Sequence, residues 1–293
     1  MIPANRPATV RAALLTAGPA LLWMGVFLGL PMAGLAVVSF LTRGDYGDFG
    51  LPWTLENYAR LAGRTELGFD PLYPRILGRS VALGAATTAL CLAGALPVAF
   101  FIARRTARWQ ATLLTLLLVP FWTNLLIRTY GWQVLLAPGA PLSRLAAAFG
   151  IIPPDAGIYP GLVAVLVGMV CDFLPFMVLP LYASVEKVDW TLADAAADLG
   201  ATPWGIFRHA LWPQIRPGAA AGMALVFLPA TGQFVVPDLL GGARVLMVGN
   251  AIQQQFGTSR DWPFGAAMAC VTLLLLLLLA VSRRRREAHA VES

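Results

Sequence analysis

Six stretches of this chain are apolar over lengths that match the hydrocarbon core of a membrane. A helix needs about 20 consecutive apolar residues to cross that core, because each residue advances it by only about 1.5 Å. The stretches lie at residues 12–41, 76–103, 112–136, 158–185, 217–240 and 263–282. Only 12% of the residues are charged, whereas a soluble domain has about 25%. The sequence therefore predicts an all-α, polytopic membrane protein with six transmembrane helices.

The first stretch is predicted to remain in the protein as a span. Pro19 and Pro31 interrupt its apolar pattern. Its length of about 30 residues exceeds the 7–15-residue apolar core of a cleavable signal peptide. The short loops show no low-complexity linker or second domain, so we expect a single transmembrane domain over residues 1–293.

Positive charge predicts how the spans are oriented. Twelve of the 21 basic residues flank the ends that six spans bring to one side: Arg6, Arg11, Arg104, Arg105, Arg108, Lys187, Arg208, Arg216 and Arg283 to Arg286. Cytoplasmic loops carry such an excess, and basic residues beside apolar runs do not form a nucleic-acid-binding patch. Both termini and the segment 186–216 are therefore expected in the cytoplasm. The loop 42–75 is expected outside, with a short helix that Thr54 caps and Gly63 ends.

A polar segment, DAAADLGATPWGIFRHALWP at 194–213, interrupts the apolar pattern between the fourth and fifth stretches. Thr191, followed by an acid three residues later, is predicted to cap a helix. Gly200 can adopt the left-handed backbone that ends a helix, and Thr202 before a proline favours a second start. The pattern predicts two short helices with a sharp bend, the second running to Pro213. The alternative is an amphipathic helix lying on the lipid surface.

This polar segment resembles the EAA motif of ABC importer permeases, which reads Glu-Ala-Ala, three residues, Gly, nine residues, Ile, one residue and Leu-Pro. In that register this chain has Asp194, Ala195, Ala196, Gly200 and Pro213. It departs from the motif with Asp194 for Glu, Ala210 for Ile and Trp212 for Leu. The stretches FWTNLLIRTYGW, LPFMVLPLYASVEKVD and VVPDLLGGARVLMVGN also resemble spermidine/putrescine permeases. The resemblance covers nearly the whole chain.

The resemblance implies a type I ABC importer permease fold and a place in the bacterial cytoplasmic (inner) membrane. It implies four kinds of partner: a second homologous permease forming a heterodimer, two ATPase subunits, an extracytoplasmic solute-binding protein and the lipid bilayer. Asp194, Ala195, Ala196 and Gly200 would contact the ATPase, and Pro213 would separate this coupling region from the fifth span. The chain has no GxxxxGK[ST] phosphate loop. We therefore expect a non-catalytic subunit without a cofactor of its own, with ATP and magnesium in the partner ATPase.

A polyamine substrate would need carboxylates for its ammonium groups and aromatic faces for cation–π contact. Polar residues inside spans are costly and often functional. The candidates for the substrate pathway are Trp122, Asn124, Arg128, Tyr130, Asp172 and Asp238. The alternative for Arg128 is an ion pair that only holds helices together, and the alternative for Asp238 is a helix cap in an outer loop.

Other functions stay open on the sequence alone. A permease of this family could carry another small solute. An ion-driven secondary transporter or channel is one alternative, and it would retain uptake without ATP. Many secondary transporters contain internal repeats, and this chain shows no strong one. A membrane enzyme lacks support, since His209 and His289 lie near no nucleophile. The three cysteines lack the spacing of metal ligands, and no metal site is expected.

Overall fold

The computed structural model describes residues 17–44, 48–65, 68–153 and 155–292, and it is mostly helical. The helices are α1 (Ala17–Val38), α2 (Glu56–Leu61), α3 (Leu72–Ala103), α4 (Ala107–Leu118), α5 (Leu125–Leu136), α6 (Pro141–Ala148), α7 (Leu162–Val185), α8 (Trp190–Asp198), α9 (Pro203–Ile206), α10 (Trp212–Gly232), α11 (Val235–Leu240), α12 (Val248–Phe256) and α13 (Trp262–Glu292). The strands form two antiparallel pairs: β1 (Thr42–Arg43) with β2 (Phe49–Gly50), and β3 (Arg64–Thr65) with β4 (Gly68–Phe69).

Four helices among the described residues are long and apolar enough to cross a membrane: α1, α3, α7 and the part of α13 over Trp262–Val281. A fifth is added if Ala107–Trp122 and Leu125–Leu136, which are bent by 90°, form one span. The predicted fifth stretch, 217–240, corresponds to α10 and α11, and neither belongs to this apolar set. The prediction of an all-α membrane protein is confirmed, and the helices are compatible with six spans. The start of the first stretch, 12–16, lies outside the described residues.

The predicted third span is broken rather than continuous. After α4 the chain forms a 3-10 turn over Val119–Trp122, with Pro120 near its start, and then bends sharply. Asn124 restarts the helix, because its side-chain oxygen accepts a hydrogen bond from the amide of Leu126 at 2.8 Å. The break arises because proline lacks an amide donor, and asparagine is a favoured N-cap.

Two prolines are accommodated by a wider helical turn instead of ending their helices. A π turn over Gly25–Gly29 lies just before Pro31, so α1 continues through the predicted interruption. A second π turn, Phe207–Leu211, lies just before Pro213 and joins α9 to α10. A proline ring clashes with the carbonyl four residues earlier, and that carbonyl falls inside the π turn in both cases. The prediction that Pro213 ends the second short helix is therefore wrong.

The chain divides into two compact units, the first of which comprises Met1–Pro71 and Ile252–Leu277. Its predicted outer-loop helix is present as α2. Thr54 accepts a hydrogen bond from the amide of Glu56 at 3.1 Å, but the N-cap position belongs to Leu55. Gly63 follows the helix with a φ of 85°, which is the left-handed conformation that favours glycine.

Buried polar contacts hold α2 in this unit. The amide of Asn57 donates to the carbonyls of Ser39 at 3.0 Å and Leu41 at 2.9 Å, which tie α2 to the end of α1. Arg60 pairs with Asp261 at 3.1 Å and lies over the ring of Phe264 at 4.2 Å. Asp261 also accepts from the amide of Phe264 at 3.2 Å and so caps the first turn of α13. The loop is thus fastened to both apolar helices of its unit.

The second unit, Leu72–Ala251 with Leu278–Ser293, has its core where α3, α7 and α10 pack against one another. Small residues allow this close packing. A Cβ added at Gly222 in α10 would lie 2.8 Å from the sulfur of Met177 and 3.1 Å from its carbonyl oxygen. Both distances are shorter than ordinary van der Waals contact, so the backbones of α7 and α10 approach closely only because residue 222 is glycine.

We expect Gly222→Leu to destabilise the second unit by about 1–3 kcal/mol or more, since it forces bulk into a packed helix interface. The matched control is Gly232→Leu in the same helix, where an added Cβ meets nothing within 4 Å. Thermal unfolding of the two variants in detergent measures the difference. Equal stability would show that the α7–α10 contact tolerates a side chain at residue 222.

Candidate functional site

The predicted coupling segment, here residues 189–213, begins with a capped helix. Asp189 is the N-cap of α8, and its Oδ1 atom accepts from the hydroxyl of Thr191 at 2.7 Å and from its amide at 3.0 Å. These two hydrogen bonds hold the pKa of Asp189 below its ordinary value. The prediction that Thr191 caps this helix is therefore wrong by two residues. Asp189 competes better for the cap because a carboxylate accepts a stronger hydrogen bond than a hydroxyl.

The bend after α8 has the predicted geometry. Gly200 has a φ of 79°. Its amide donates to the carbonyl of Ala197 at 2.9 Å, and the next amide, of Ala201, donates to Ala196 at 3.0 Å. This pair of hydrogen bonds is a Schellman motif, which needs a left-handed residue where Gly200 stands. Thr202 then caps α9, accepting from the amide of Gly205 at 3.2 Å, as the sequence predicts.

Aromatic packing and one buried alanine hold the segment against the second unit. Ala193 is the buried residue of α8. Phe207, in the π turn, lies against Trp204, Trp212 and Phe100 with ring centroids 5.5, 6.0 and 6.4 Å away. Phe207 therefore packs the π turn against Phe100 of α3, whereas Trp204 of α9 is 67% exposed.

The opposite side of α8 is exposed and apolar. Leu192 is 51% exposed and Leu199 is 89% exposed, and Ala195 is exposed between them. Residues at spacings of three, four and seven share one side of a helix, so Leu192, Ala195, Ala196 and Leu199 form a single surface, which we call the alanine face. Large exposed apolar side chains on a rigid, capped helix are typical of a surface that binds another protein.

Arg128 and Asp172 form an ion pair between α5 and α7. The Nε atom of Arg128 lies 2.6 Å from Oδ1 of Asp172, and Asp172 is 4% exposed. Arg128 also donates from Nη1 to the carbonyl of Pro120 at 3.0 Å and lies 5.7 Å from the ring of Phe121. The break between the helices at residues 123–124 positions this arginine, because α5 begins one turn before it.

The ion pair leaves hydrogen-bonding capacity unused. The two charges are in close contact, but the Nε–H group of Arg128 is not directed at the carboxylate as a hydrogen bond requires. Neither carboxylate oxygen of Asp172 accepts a hydrogen bond from the described residues. A buried carboxylate is costly unless its lone pairs are satisfied. Asp172 is therefore held mainly by the charge of Arg128 and has lone pairs left to accept a second cationic donor.

A cleft of about 720 Å³ lies beside the pair, between α3, α4, α5 and α7. Its wall is mostly apolar, with Arg128 and Trp132 from α5 and Cys171 and Pro175 from α7 among the lining residues. An apolar wall with a few polar groups is the usual composition of a small-molecule site. The cleft is large enough for an extended aliphatic chain with a charged end.

The other predicted pathway residues do not join this pair. Asn124 is the cap of α5, so its side-chain oxygen has a structural partner. Trp122 is 79% exposed and Tyr130 is 53% exposed. Asp238 lies exposed in the first turn of α11. Of the six candidates, Arg128 and Asp172 are the pair whose side chains meet, and the backbone amide of Arg128 also donates to the carbonyl of Asn124 at 3.1 Å.

The predicted pathway set leaves out three aromatic residues around Arg128 and its cleft. Phe121 and Phe176 meet edge to face with centroids 5.0 Å apart, and Trp132 lines the cleft. A signal for two of them was available. Trp132 follows Arg128 by four residues and Phe176 follows Asp172 by four, and residues four apart are neighbours on a helix surface.

Comparisons with known proteins identify the family. The model of the binding-protein-dependent transport system inner membrane component family matches residues 95–287. The chain is 41% identical over 247 residues to the spermidine/putrescine transport system permease protein PotB of Haemophilus influenzae, covering 84% of each chain. It is 43% identical over 245 residues to PotB of Escherichia coli strain K12, covering 84% of this chain and 86% of that relative.

A solved structure supports the fold. The protein of a bacterial ABC transporter involved in the import of the acidic polysaccharide alginate aligns with a TM-score of 0.67 at 16% identity, over 95% of this chain and 98% of that chain. At this identity the similarity concerns architecture alone. The family model covers most of the chain and the two PotB relatives are more than 40% identical to it across 84% of its length, so this multi-pass chain belongs to the binding-protein-dependent transport system inner membrane components.

Proposed function

We propose that this chain is the permease subunit of an ATP-driven, binding-protein-dependent importer of polyamines such as spermidine and putrescine. It forms half of the translocation pathway and transmits energy from a separate ATPase. The single observation that supports the substrate class is identity above 40% to two spermidine/putrescine permeases over 84% of the chain. The complex contains a second, related permease, two ATPase subunits that bind ATP and magnesium, and an extracytoplasmic binding protein. Both termini face the cytoplasm.

The alanine face of α8 is the surface proposed to bind the ATPase. Asp194 lies beside it, and Gly200 turns the chain back at its end. Small side chains at Ala195 and Ala196 allow a close approach of the partner, and Leu199 offers an apolar anchor. Because α9, the π turn and α10 follow one another without a helix break at Pro213, a movement passed from α8 to α9 would carry α10 with it.

Asp172 is the residue proposed to receive a substrate ammonium group. It is buried, its carboxylate accepts no hydrogen bond from the described residues, and a mostly apolar cleft that includes Trp132 lies beside its partner Arg128. An incoming ammonium would replace the guanidinium as the counter-charge, so the carboxylate would stay paired during passage. Trp122, Asn124, Tyr130 and Asp238 remain predicted contacts along the same pathway.

The test is uptake of radiolabelled spermidine by liposomes that contain the complete complex. We expect uptake to require ATP at the ATPase side and the binding protein at the other, and excess putrescine to compete with spermidine. Uptake that persists without ATP while an ion gradient is held would identify a secondary transporter instead. A binding protein that takes an anion or a sugar and no polyamine would overturn the substrate class and leave the importer assignment standing.

A further inference from the structure

A second cleft of about 720 Å³ lies where α3 ends, and Phe101 lines both this cleft and the one beside Arg128. Its floor and walls come from the last turns of α3 and from the π turn before α10. The lining includes Phe100, Phe101, Arg104, Arg105, Phe207 and Leu211. The apolar helix Leu72–Ala103 ends immediately before the two arginines. The cleft therefore crosses the boundary between a membrane-spanning surface and the polar region beyond it.

Both arginines of this cleft are oriented by aromatic rings and lack a counter-charge among the described side chains. The guanidinium carbon of Arg104 lies 4.9 Å from the ring centre of Trp190, and that of Arg105 lies 4.3 Å from the ring centre of Phe101. The ion pairs of the described residues are elsewhere, at Arg60 and at Arg128. Stacking on aromatic faces leaves the edge N–H groups of a guanidinium available to bind an anion.

We infer that this cleft binds an anionic phospholipid, with the phosphate headgroup at Arg104 and Arg105 and an acyl chain along the apolar wall. Two guanidinium groups at the end of an apolar span match a phosphate in charge and geometry. Phe101 is 50% exposed, so the wall offers apolar surface that a lipid chain would cover. A soluble anion would gain nothing from that wall.

Charge also excludes the chain's own terminal segments as occupants. The segment before α1 carries Arg6 and Arg11, and the end of α13 carries Arg283 to Arg286 against Glu287 and Glu292, so both segments are net positive. Either would add positive charge to a site that already has two unpaired arginines. The occupant must be negative, and the adjacent membrane supplies a negative amphiphile at high local concentration.

A lipid in this cleft would contact the coupling segment as well as α3. Phe207 lies in the π turn that joins α9 to α10, and Trp190, under Arg104, is the first residue of α8. Occupancy would fix the arginine–tryptophan contact at the start of α8. The inference does not rest on the substrate, so a failed polyamine assay leaves it untouched.

The test uses the complete complex in phosphatidylcholine nanodiscs that contain a small fraction of phosphatidylglycerol, with bound lipid counted by native mass spectrometry. We expect Arg104→Gln combined with Arg105→Gln to weaken phosphatidylglycerol retention roughly 25-fold, at about fivefold for each arginine. The matched control is Arg108→Gln, which removes the same charge four residues from Arg104 and outside the cleft lining. Because the double variant could fail to assemble, Phe101→Asp serves as a second variant. It is expected to repel the headgroup and to reduce retention as strongly.

Three results would overturn the lipid site. If the double variant and Arg108→Gln lose phosphatidylglycerol retention equally, only the overall charge of the loop matters. Displacement of the lipid by inorganic phosphate would assign the cleft to a soluble anion. If the permeases alone retain phosphatidylglycerol and lose it when the ATPase is added, the cleft binds an acidic segment of the ATPase instead.

Discussion

Asp172→Asn alone is expected to destabilise the protein by about 3–5 kcal/mol, because it leaves Arg128 as an unpaired charge in a mostly buried position. Arg128→Gln alone should cost a similar amount for the opposite reason. Replacing both residues, with Arg128→Gln and Asp172→Asn in one chain, should restore most of the stability, since no uncompensated charge remains. Thermal unfolding in detergent measures all three variants against the unaltered protein.

Uptake by the double variant then separates a pathway role from a purely structural one. If Asp172 receives the substrate ammonium, the stable double variant should still lose about 2 kcal/mol of interaction with the substrate, roughly a 30-fold loss in uptake efficiency. The matched control is Asp155→Asn, which removes an exposed carboxylate from the loop before α7. Recovery of both stability and uptake in the double variant would show that the pair only holds α5 and α7 together.

Ala195→Arg is expected to abolish binding of the ATPase with little effect on the fold. Ala195 is exposed in the middle of the alanine face, where an arginine would place a long charged side chain in a contact meant for small residues. Loss of a central interface contact costs about 2 kcal/mol or more, and an unpaired charge in the interface adds to it. Co-purification of the ATPase with the tagged permease measures the effect, and uptake should fall with it.

The control for this variant is Ala197→Arg in the same helix. Two residues advance an α-helix by about 200°, so Ala195 and Ala197 point about 160° apart, and Ala197 is also exposed. We expect Ala197→Arg to retain the ATPase. If both variants bind the ATPase normally, the alanine face is not the coupling surface. If both lose it, the helix has been disrupted and Leu199→Ala, which removes a single exposed anchor, becomes the deciding variant.

Local features of the site were predictable because short stretches of sequence determine them. Gly200 and Thr202 take the turn and the cap that their residue types favour. The start of α8 was misplaced at Thr191 because two neighbouring residues could both cap, and the stronger acceptor, Asp189, prevailed. The end of the second helix was misplaced at Pro213 because a π turn absorbs the proline. A π turn has no local sequence signature comparable to that of a helix cap.

By itself the sequence determined that this chain is a helical membrane protein, since runs of about 20 apolar residues with few charges cannot be solvated otherwise. It also determined that a polar, capped helix lies between two apolar stretches. Only the tertiary structure decided that Arg128 pairs with Asp172 and that Trp122, Tyr130 and Asp238 remain exposed. Contacts between helices depend on the rotation and depth of each helix in the packed core. The rotation and depth of the helices are set by the close approach of α3, α7 and α10. Residue spacing within one helix specifies only which side chains share a face.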